Sequence, residues 1–193
     1  MSHPGTRVIP TKNAMHIGIN NDIWVSCTYS DSLITNNPSD GMLIKINANG
    51  DSLTSVRFGG PFSDRIYNSM IDNDGNIVCA GAKYIAINKD NPWALKFDQN
   101  GNLLWENQMS ITSSAFTRYF EAVTQNNDGD YFFLGNYGVA PKRFFHAKIQ
   151  NDGTTIWKTI TTYSGMFFMN QTVYEHTVMS LWFQVINGHL HQD

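Results

Sequence analysis

The stretch KFDQNGNLLW, residues 96–105, decides the fold of this chain. Two apolar runs flank an Asn-Gly pair, which is the strongest short-range signal for a β-hairpin. The stretch has two echoes, KINANGDSL at 45–53 and KIQNDGTTIW at 148–157. In all three copies a lysine stands five residues before the glycine. The chain is therefore built from a repeated unit.

A second turn motif interleaves with the first. DNDGN at 72–76 and NNDGD at 126–130 each lead into an apolar run, and a second glycine follows six residues after the first. NND at 20–22 resembles the same turn with its glycine lost. Both markers give a period of just over fifty residues, and two hairpins per period predict a four-stranded antiparallel sheet.

The predicted units follow from these turns. We expect an all-β fold of repeated four-stranded antiparallel blades, a small or partial β-propeller, in a single domain spanning 1–193. The opening strands of the first and third units are predicted near 15–19 and 119–124. In the middle unit the predicted strands are 66–71, 77–82, 93–97 and 103–108, with a loop at 84–91. The units are predicted at about 15–58, 64–109 and 118–161, with an irregular partial unit at 162–193 that includes apolar runs at 165–169 and 181–186.

Composition agrees with a β-rich globular protein. Charged residues make up only 15% of the chain and aromatic residues 13%, which argues against disorder. A net charge of -3 gives no electrostatic case for binding nucleic acid. No apolar run approaches the roughly 20 residues of a transmembrane helix, and no signal peptide is visible at the N-terminus. Cys27 and Cys79 lie in different units, so we expect free, packed thiols.

The repeat resembles a known class of protein. Lysine, then Asn-Gly and tryptophan in 96–105, with Asp-Gly and a later glycine in 72–81, looks like the blade repeat of bacterial surface and secreted β-propellers. Residues 97–105 are also distantly similar to the blade motif of quinoprotein-like propellers. The resemblance covers about 15–160 and implies an extracellular or cell-envelope location. It implies a fold more than a function, because propellers host unrelated activities.

Ring closure is the open question that this resemblance raises. Three clear units and one irregular unit fall short of the six to eight blades common in closed propellers. Without closure the end sheets keep an uncovered face. Three arrangements would cover these faces: the tail completes a fourth blade, two chains associate, or the chain is part of a longer product.

Two turn segments and three histidines resemble parts of known metal-binding or sugar-processing proteins. Residues 72–76 have oxygen-bearing side chains at alternate positions, as in a calcium loop, but no later carboxylate follows, so a hairpin turn is predicted. Residues 151–157 resemble the Asp-box of sialidase-type propellers, which stabilises a blade turn. His176, His189 and His191 are too few and too near the C-terminus to predict zinc. We therefore assign no catalytic, cofactor-binding or metal-binding residue and no cofactor.

The remaining candidates are aromatic, histidine and sequon positions. His146 alternates with apolar neighbours and is predicted to be partly buried and hydrogen-bonded. Residues 170–172 form a formal glycosylation sequon, which matters only in a eukaryotic secretory context. A ring that stacks on carbohydrate is an alternative for one or two aromatic side chains. Packing between blades is predicted for the aromatic residues at repeated positions: Trp93, Trp105, Trp157, Phe144 and Phe145.

The predicted function is a non-enzymatic binding or scaffold module. The long loops 30–40, 84–91 and 136–143 connect the second and third strands of successive units, so they should meet at one face and contact a protein or glycan ligand. The alternatives are a quinoprotein-like or glycosidase-like enzyme and a purely structural segment of a larger surface protein. The enzyme would need charged residues around a central channel, where the inner strands offer Arg65, Arg118 and Glu121.

Overall fold

The computed structural model describes residues 6–31, 38–86, 89–110, 118–137 and 143–162. Within these ranges the chain forms twelve β-strands and no helix. The first sheet contains β1 (Thr6–Ile17), β2 (Ile23–Asp31), β3 (Asp40–Ile46) and β4 (Ser52–Phe58). The second contains β5 (Arg65–Ile71), β6 (Ile77–Ala86), β7 (Lys89–Phe97) and β8 (Leu103–Gln108). The third contains β9 (Arg118–Gln125), β10 (Tyr131–Tyr137), β11 (Arg143–Ile149) and β12 (Thr155–Thr162).

Each sheet is an antiparallel meander whose strands pair in chain order. We call the three sheets blades 1, 2 and 3. The first strands of the blades face one another, because β1 contacts β5 and β5 contacts β9. The predicted all-β fold of repeated four-stranded blades is confirmed, and the three sheets are consistent with part of a propeller.

The tight turns differ from the expected geometry. In a two-residue Asn-Gly turn both residues need a positive φ, but here Gly101 has φ 87° and Asn100 does not share this conformation. Instead, Asp98 Oδ1 accepts hydrogen bonds from the backbone N–H groups of Asn100 and Asn102. The register also slips by one residue between Lys96 and Phe97, so that Lys96 pairs with Trp105 and Phe97 with Leu103. These turns are hairpins closed by a glycine bulge, so only the glycine needs a positive φ.

The turn that lacks glycine keeps the same backbone path. Asn21 takes the glycine position with φ 60°, and its N–H donates to the Gly18 carbonyl. The equivalent bond in blade 2 runs from Gly75 N–H to the Asp72 carbonyl. Asparagine tolerates the left-handed region better than other residues with a Cβ. The predicted equivalence of the two turns is therefore confirmed.

The opening strand of blade 1 begins well before the predicted 15–19. Strand β1 starts at Thr6 and pairs with β2 in two stretches separated by an irregularity between Pro10 and Met15. Asn13 within this irregularity has φ 52°. Proline and a run of polar residues hid the strand from the sequence pattern, because such residues usually mark a bulge or a loop.

The loop predicted at 84–91 is largely strand. Strand β6 runs to Ala86 and β7 starts at Lys89, so Lys83 pairs with Asn91 and Tyr84 with Asp90. The Asp-Asn-Pro composition at 90–92 indicated a loop. The backbone nevertheless stays extended, because proline is preceded by residues that favour the β region.

Two apolar clusters hold the blades together. One lies between blades 1 and 2 and contains Trp24, Leu43, Cys79, Trp93 and Phe97. The other lies between blades 2 and 3, where large side chains of blade 3 pack against Val78, Ala80 and Ala94 of blade 2. Its largest members are Phe120, Tyr131, Phe133, Tyr137, Phe145 and Ile149. Cys27 and Cys79 are buried and free, as predicted. The partial unit predicted at 162–193 lies outside the described residues except for Thr162.

Candidate functional site

The inner strand of every blade carries a β-bulge at the same level. In blade 2, Ile66 pairs with Gly81 and Asn68 with Ala80, so Tyr67 has no partner in the ladder. In blade 3, Phe120 pairs with Gly135 and Ala122 with Leu134, so Glu121 is the extra residue. In blade 1 the irregularity between Pro10 and Met15 includes Thr11 and Lys12. Bulges re-aim side chains and occur often beside binding sites.

Glycine on the neighbouring strand makes the bulges of blades 2 and 3 fit. A Cβ added to Gly81 would lie 2.1 Å from the carbonyl oxygen of Arg65, and one added to Gly135 would lie 1.7 Å from that of Tyr119. Both contacts are with backbone atoms, which cannot move aside cheaply. The second glycine of each turn motif, six residues after the first, is therefore required by the bulge.

The three bulges border one cleft at the inner edge of the sheets. Its volume is about 580 Å³, which is within the range of small-ligand sites. The wall includes three cationic side chains, one carboxylate and six hydroxyls. These residues are Arg7, Lys12, Arg65, Glu121, Thr11, Thr28, Ser30, Ser39, Ser63 and Tyr67, with Ile9, Pro10 and Ile66 as apolar neighbours.

An ion pair crosses the cleft from blade 1 to blade 3. Lys12 Nζ lies 3.7 Å from Glu121 Oε1, and the lysine side chain is 60% exposed, whereas the glutamate is 17% exposed. Asn136 donates through Nδ2 to Glu121 Oε2 at 2.7 Å and to the Tyr119 hydroxyl at 3.1 Å. The carboxylate is therefore fixed, while the lysine remains free to reorient toward a ligand.

Tyr67 of blade 2 lines the cleft beside Arg65 and packs against Tyr119 of blade 3. The rings of Tyr67 and Tyr119 lie 4.6 Å apart between centroids. Burial raises the pKa of Tyr67, which the nearby Arg65 counteracts, and burial followed by Glu121 raises the pKa of Tyr119. Both phenols stay neutral at physiological pH, so Tyr67 offers the cleft a hydroxyl group and a ring face rather than charge.

Hydroxyl groups tie the blade 1 bulge to blade 2. Thr11 Oγ1 lies 2.6 Å from Ser26 Oγ, and Ser26 Oγ lies 2.8 Å from Ser69 Oγ. His16 Nε2 completes the chain at 2.8 Å from Ser69 Oγ. Burial is the main reason that the pKa of His16 is lowered, so the imidazole is neutral at pH 7. This neutral network holds the bulge in place without adding charge.

The outer wall of the cleft rests on a buried acid. The N–H of Asp64 donates to the Ser39 carbonyl at 2.6 Å, and its Oδ1 accepts from the N–H of Tyr84 at 2.8 Å. Asp64 is fully buried, and its Oδ2 has no hydrogen-bond partner among the described residues. Burial raises the pKa of Asp64, against the opposing effect of hydrogen bonds from Tyr84 and Gly60 and of Lys83.

Of the three charged residues predicted on the inner strands, two reach the cleft. Arg65 and Glu121 line it, whereas Arg118 is buried with its guanidinium 5.5 Å from the ring centre of Tyr137. Sequence reasoning missed Arg7 and Lys12, because the strand that carries them was not predicted. The glycines at 81 and 135 were visible in the sequence, but their pairing with a bulge was not.

The candidate calcium loop at 72–76 is a hairpin turn, as predicted. Asp72 Oδ1 accepts from the N–H groups of Asp74 and Asn76. Asp72 Oδ2 lies 2.9 Å from Lys96 Nζ and accepts from the Tyr131 hydroxyl at 2.7 Å. Burial alone would raise the pKa of Asp72, but the hydrogen bonds from Lys96 and Tyr131 outweigh it and the pKa is lowered. Both carboxylate oxygens already have protein partners.

The repeated aromatic residues pack between blades. Trp93 and Phe145 are each 1% exposed and belong to the two inter-blade clusters. Trp105 donates from Nε1 to the carbonyl of Asn151 at 2.9 Å, within the Asp-box-like stretch. The packing prediction is confirmed for these three residues. Trp157 is half-buried, and its ring lies against Phe132 and His146.

His146 is half-buried and hydrogen-bonded, as predicted. Its Nε2 lies 3.0 Å from Thr161 Oγ1, and burial lowers its pKa. The histidines at 176, 189 and 191 and the sequon at 170–172 lie outside the described residues. Within the described ranges, no three histidine, cysteine or acidic side chains converge as metal ligands would. No helix there is long and apolar enough to span a membrane.

Comparisons with known proteins support the fold alone. No protein-family model and no curated protein matches the sequence. A solved structure of a protein of unknown function from Dyadobacter fermentans is similar, with 13% identity and a TM-score of 0.52. The match covers 82% of this chain and 59% of the Dyadobacter protein. At this identity the similarity carries no information about ligand or activity.

Proposed function

We propose that this chain is a non-enzymatic binding module whose ligand occupies the cleft between the inner strands. The observation that carries the proposal is the convergence of three β-bulges on one cavity. Each irregularity interrupts the pairing of an inner strand, and Tyr67, Glu121 and Lys12 lie within the interrupted stretches and line the cleft. Irregularity at equivalent places in three blades is typical of a site rather than of packing.

The lining chemistry favours a hydroxyl-rich ligand with a negative group. Three cations and one carboxylate give the cleft wall an excess of two positive charges, although the chain as a whole carries -3. Hydroxyl side chains and the tyrosine ring suit the hydroxyls and apolar faces of a sugar. Arginine binds carboxylate through two parallel hydrogen bonds. We therefore propose an acidic glycan as the ligand class.

The same lining argues against hydrolysis of that ligand. Glycoside hydrolysis ordinarily uses two carboxyl groups on either side of the bond that is cleaved. Among the residues that line the cleft, Glu121 is the single carboxylate, and Lys12 and Asn136 hold its oxygens. A binding role needs no such pair, so we favour it over a glycosidase-like enzyme.

The predicted loop face contributes one edge of the proposed site. Ser30 and Ser39 flank the first of the three long loops, and both line the cleft. The residues at 84–86 and 89–91 are strand, so that connection extends a hairpin away from the sheet instead of forming a long loop. Residues 32–37 and 138–142 lie outside the described ranges. The proposal thus moves the ligand from the loop tips to the inner strands.

Calorimetric titration tests the proposal. An oligosaccharide of uronic acids should bind, and its carboxyl-reduced neutral counterpart should bind at least about tenfold more weakly. Added salt should weaken binding of the acidic ligand only. Equal affinity for both sugars would contradict the electrostatic part of the proposal, and binding of acidic peptides in place of sugars would contradict the glycan class.

A pair of matched variants localises the binding. Arg65→Gln removes a cation from the cleft wall and should weaken the acidic sugar about tenfold or more. Lys158→Gln removes an exposed cation that is not part of the wall and should leave the affinity unchanged. Equal loss in both variants would mean that the ligand responds to net charge and not to this cleft.

A further inference from the structure

One kind of contact joins each blade to the next. Lys45 of blade 1 donates to the Gln99 carbonyl in the last hairpin turn of blade 2 at 3.2 Å. Lys96 of blade 2 donates to the Asn151 side chain in the last hairpin turn of blade 3. Counted from the turn glycine, Gln99 and Asn151 occupy the same position. The repeated lysine therefore binds the hairpin of the following blade.

The glycine of the same hairpin is also covered by the preceding blade. A Cβ on Gly101 would lie 2.7 Å from Val56 Cγ2 of blade 1. A Cβ on Gly153 would lie 2.8 Å from Trp105 Cγ of blade 2. The last hairpin of one blade thus inserts its glycine beneath a side chain from the fourth strand of the blade before it.

The two ends of the array carry the two halves of this contact. Lys148 and Trp157 of blade 3 pair across their strands as Lys96 and Trp105 do in blade 2. Trp157 is half-buried, whereas Gly50 of blade 1, with φ 89°, has no atom within 4 Å of the position of an added Cβ among the described residues. Among the described residues, one end has a tryptophan with no hairpin below it, and the other has a hairpin with no side chain above it.

We propose that blade 3 binds the Asn47–Asp51 hairpin of a second copy of this chain. By equivalence with Trp105, Trp157 would lie over the partner's Gly50 and donate from Nε1 to the carbonyl of the partner's Ala48. Blade 1 of the partner would also present the sheet face that carries this hairpin. That face contains Ile23, Val25, Met42 and Ile44, which are half-buried in the single chain. It occupies the place that Ile77, Cys79, Trp93 and Leu95 take in blade 2.

A second copy satisfies both ends at once. The contact is head-to-tail, so one pair of chains can form it twice and close a ring of six blades. Closure covers the two end faces that the described residues of a single chain leave open, and it uses the same kind of interface as the one between the blades. The proposed surface therefore continues the two interfaces that the chain already contains.

Light scattering on the full chain tests the proposal. The expected molar mass is twice 21.8 kDa, with dissociation on dilution. Trp157→Ala should raise the dissociation constant about tenfold or more. Lys158→Ala, next to it on the same strand, should leave the dimer intact. Three results would overturn the two-copy ring: a monomer at all concentrations, a dimer whose dissociation constant does not change in Trp157→Ala, or open polymers.

A disulfide test does not depend on how Trp157→Ala folds. The added Cβ of Gly153 lies 3.1 Å from Trp105 Cβ, so the equivalent pair is close enough for a disulfide after a small shift. A mixture of the single variants Gly50→Cys and Trp157→Cys should cross-link under oxidation. Gly129→Cys, at another turn glycine with φ 87°, should not cross-link to Trp157→Cys. Absence of the first cross-link, or formation of both, would overturn the proposal.

Discussion

The interface between blades 1 and 2 and the interface between blades 2 and 3 share the repeated lysine, but the residues around it differ in position and in burial. At the first, Lys45 pairs with Asp22, and both side chains keep 15–19% exposure. At the second, Lys96 pairs with Asp72, which stands where blade 1 has Gly18; the two side chains have 5% and 0% exposure and are joined by Tyr131. Valine covers the hairpin glycine at the first interface and tryptophan at the second.

The difference shows which part of the repeat is fixed. The backbone requires a cation that reaches the next hairpin and a side chain that covers its glycine. A deeper interface needs a fully satisfied polar network, because an unpaired buried charge is costly. The second interface should therefore tolerate substitution less well than the first.

The largest expected effect comes from neutralising the buried acid. Asp72→Asn keeps an acceptor oxygen for the turn but leaves the Lys96 ammonium buried without a carboxylate. We expect the free energy of unfolding to fall by about 3 to 5 kcal/mol, measured by urea denaturation. The matched change Asp22→Asn at the more exposed pair should cost about 1 kcal/mol. Similar losses in the two variants would show that the interfaces do not differ in this way.

Removing the side chains that cover the hairpin glycines should also destabilise the second interface more than the first, by a smaller margin. Trp105→Ala removes a large half-buried ring and its hydrogen bond to Asn151, and we expect a loss of about 2 to 3 kcal/mol. Val56→Ala removes two methyl groups and should cost about 1 kcal/mol. Thermal and urea unfolding of both variants check the order, and a greater loss for Val56→Ala would reverse the comparison.

Substitution of the hairpin glycines separates backbone strain from contact. Alanine at Gly50 suffers only from its positive φ and should cost about 1 kcal/mol. Alanine at Gly153 has the same strain and also meets the Trp105 ring, so we expect about 2 kcal/mol. The two variants are compared by urea unfolding. Equal losses in the free energy of unfolding would mean that the Trp105 ring moves aside without a measurable cost.

The smallest expected effect is on the pH dependence of stability, through Asp64 at the wall of the cleft. The folded-state pKa of Asp64 is raised by burial, so the folded protein binds this proton more tightly than the unfolded chain does. The contribution of Asp64 is favourable below the unfolded pKa and is lost as the pH rises through the folded pKa. Asp64→Asn should therefore stabilise the protein at pH 7 more than at pH 4. Urea midpoints at the two pH values check this, and a uniform change would contradict it.

The repeat itself was predictable because its signals are local. Hairpin glycines, their spacing and the apolar runs between them set strand order and blade number over the described ranges. Asn21 shows that even the missing glycine was recoverable, since its flanking residues kept the pattern. Strand ends were less predictable, because the extensions through Thr6 and Ala86 depend on pairing with a distant strand rather than on local composition.

The candidate site was less accessible to sequence reasoning. Tyr67 and Glu121 read as ordinary strand residues, and only the three-dimensional pairing shows that neither has a ladder partner. Lys96, Tyr131 and Asn151 come from three separate segments and form a network only when two blades meet. Such clusters carry no sequence spacing of their own, so periodicity cannot find them.

A double-mutant cycle between Trp105 and Gly153 tests most directly how the blades are joined. If the ring of one blade covers the hairpin glycine of the next, Gly153→Ala should lose its extra cost once Trp105 is alanine. We expect a coupling of about 1 kcal/mol in the free energy of unfolding, from urea denaturation of the four proteins. Additive effects, with no measurable coupling, would contradict this contact and the head-to-tail pairing inferred from it.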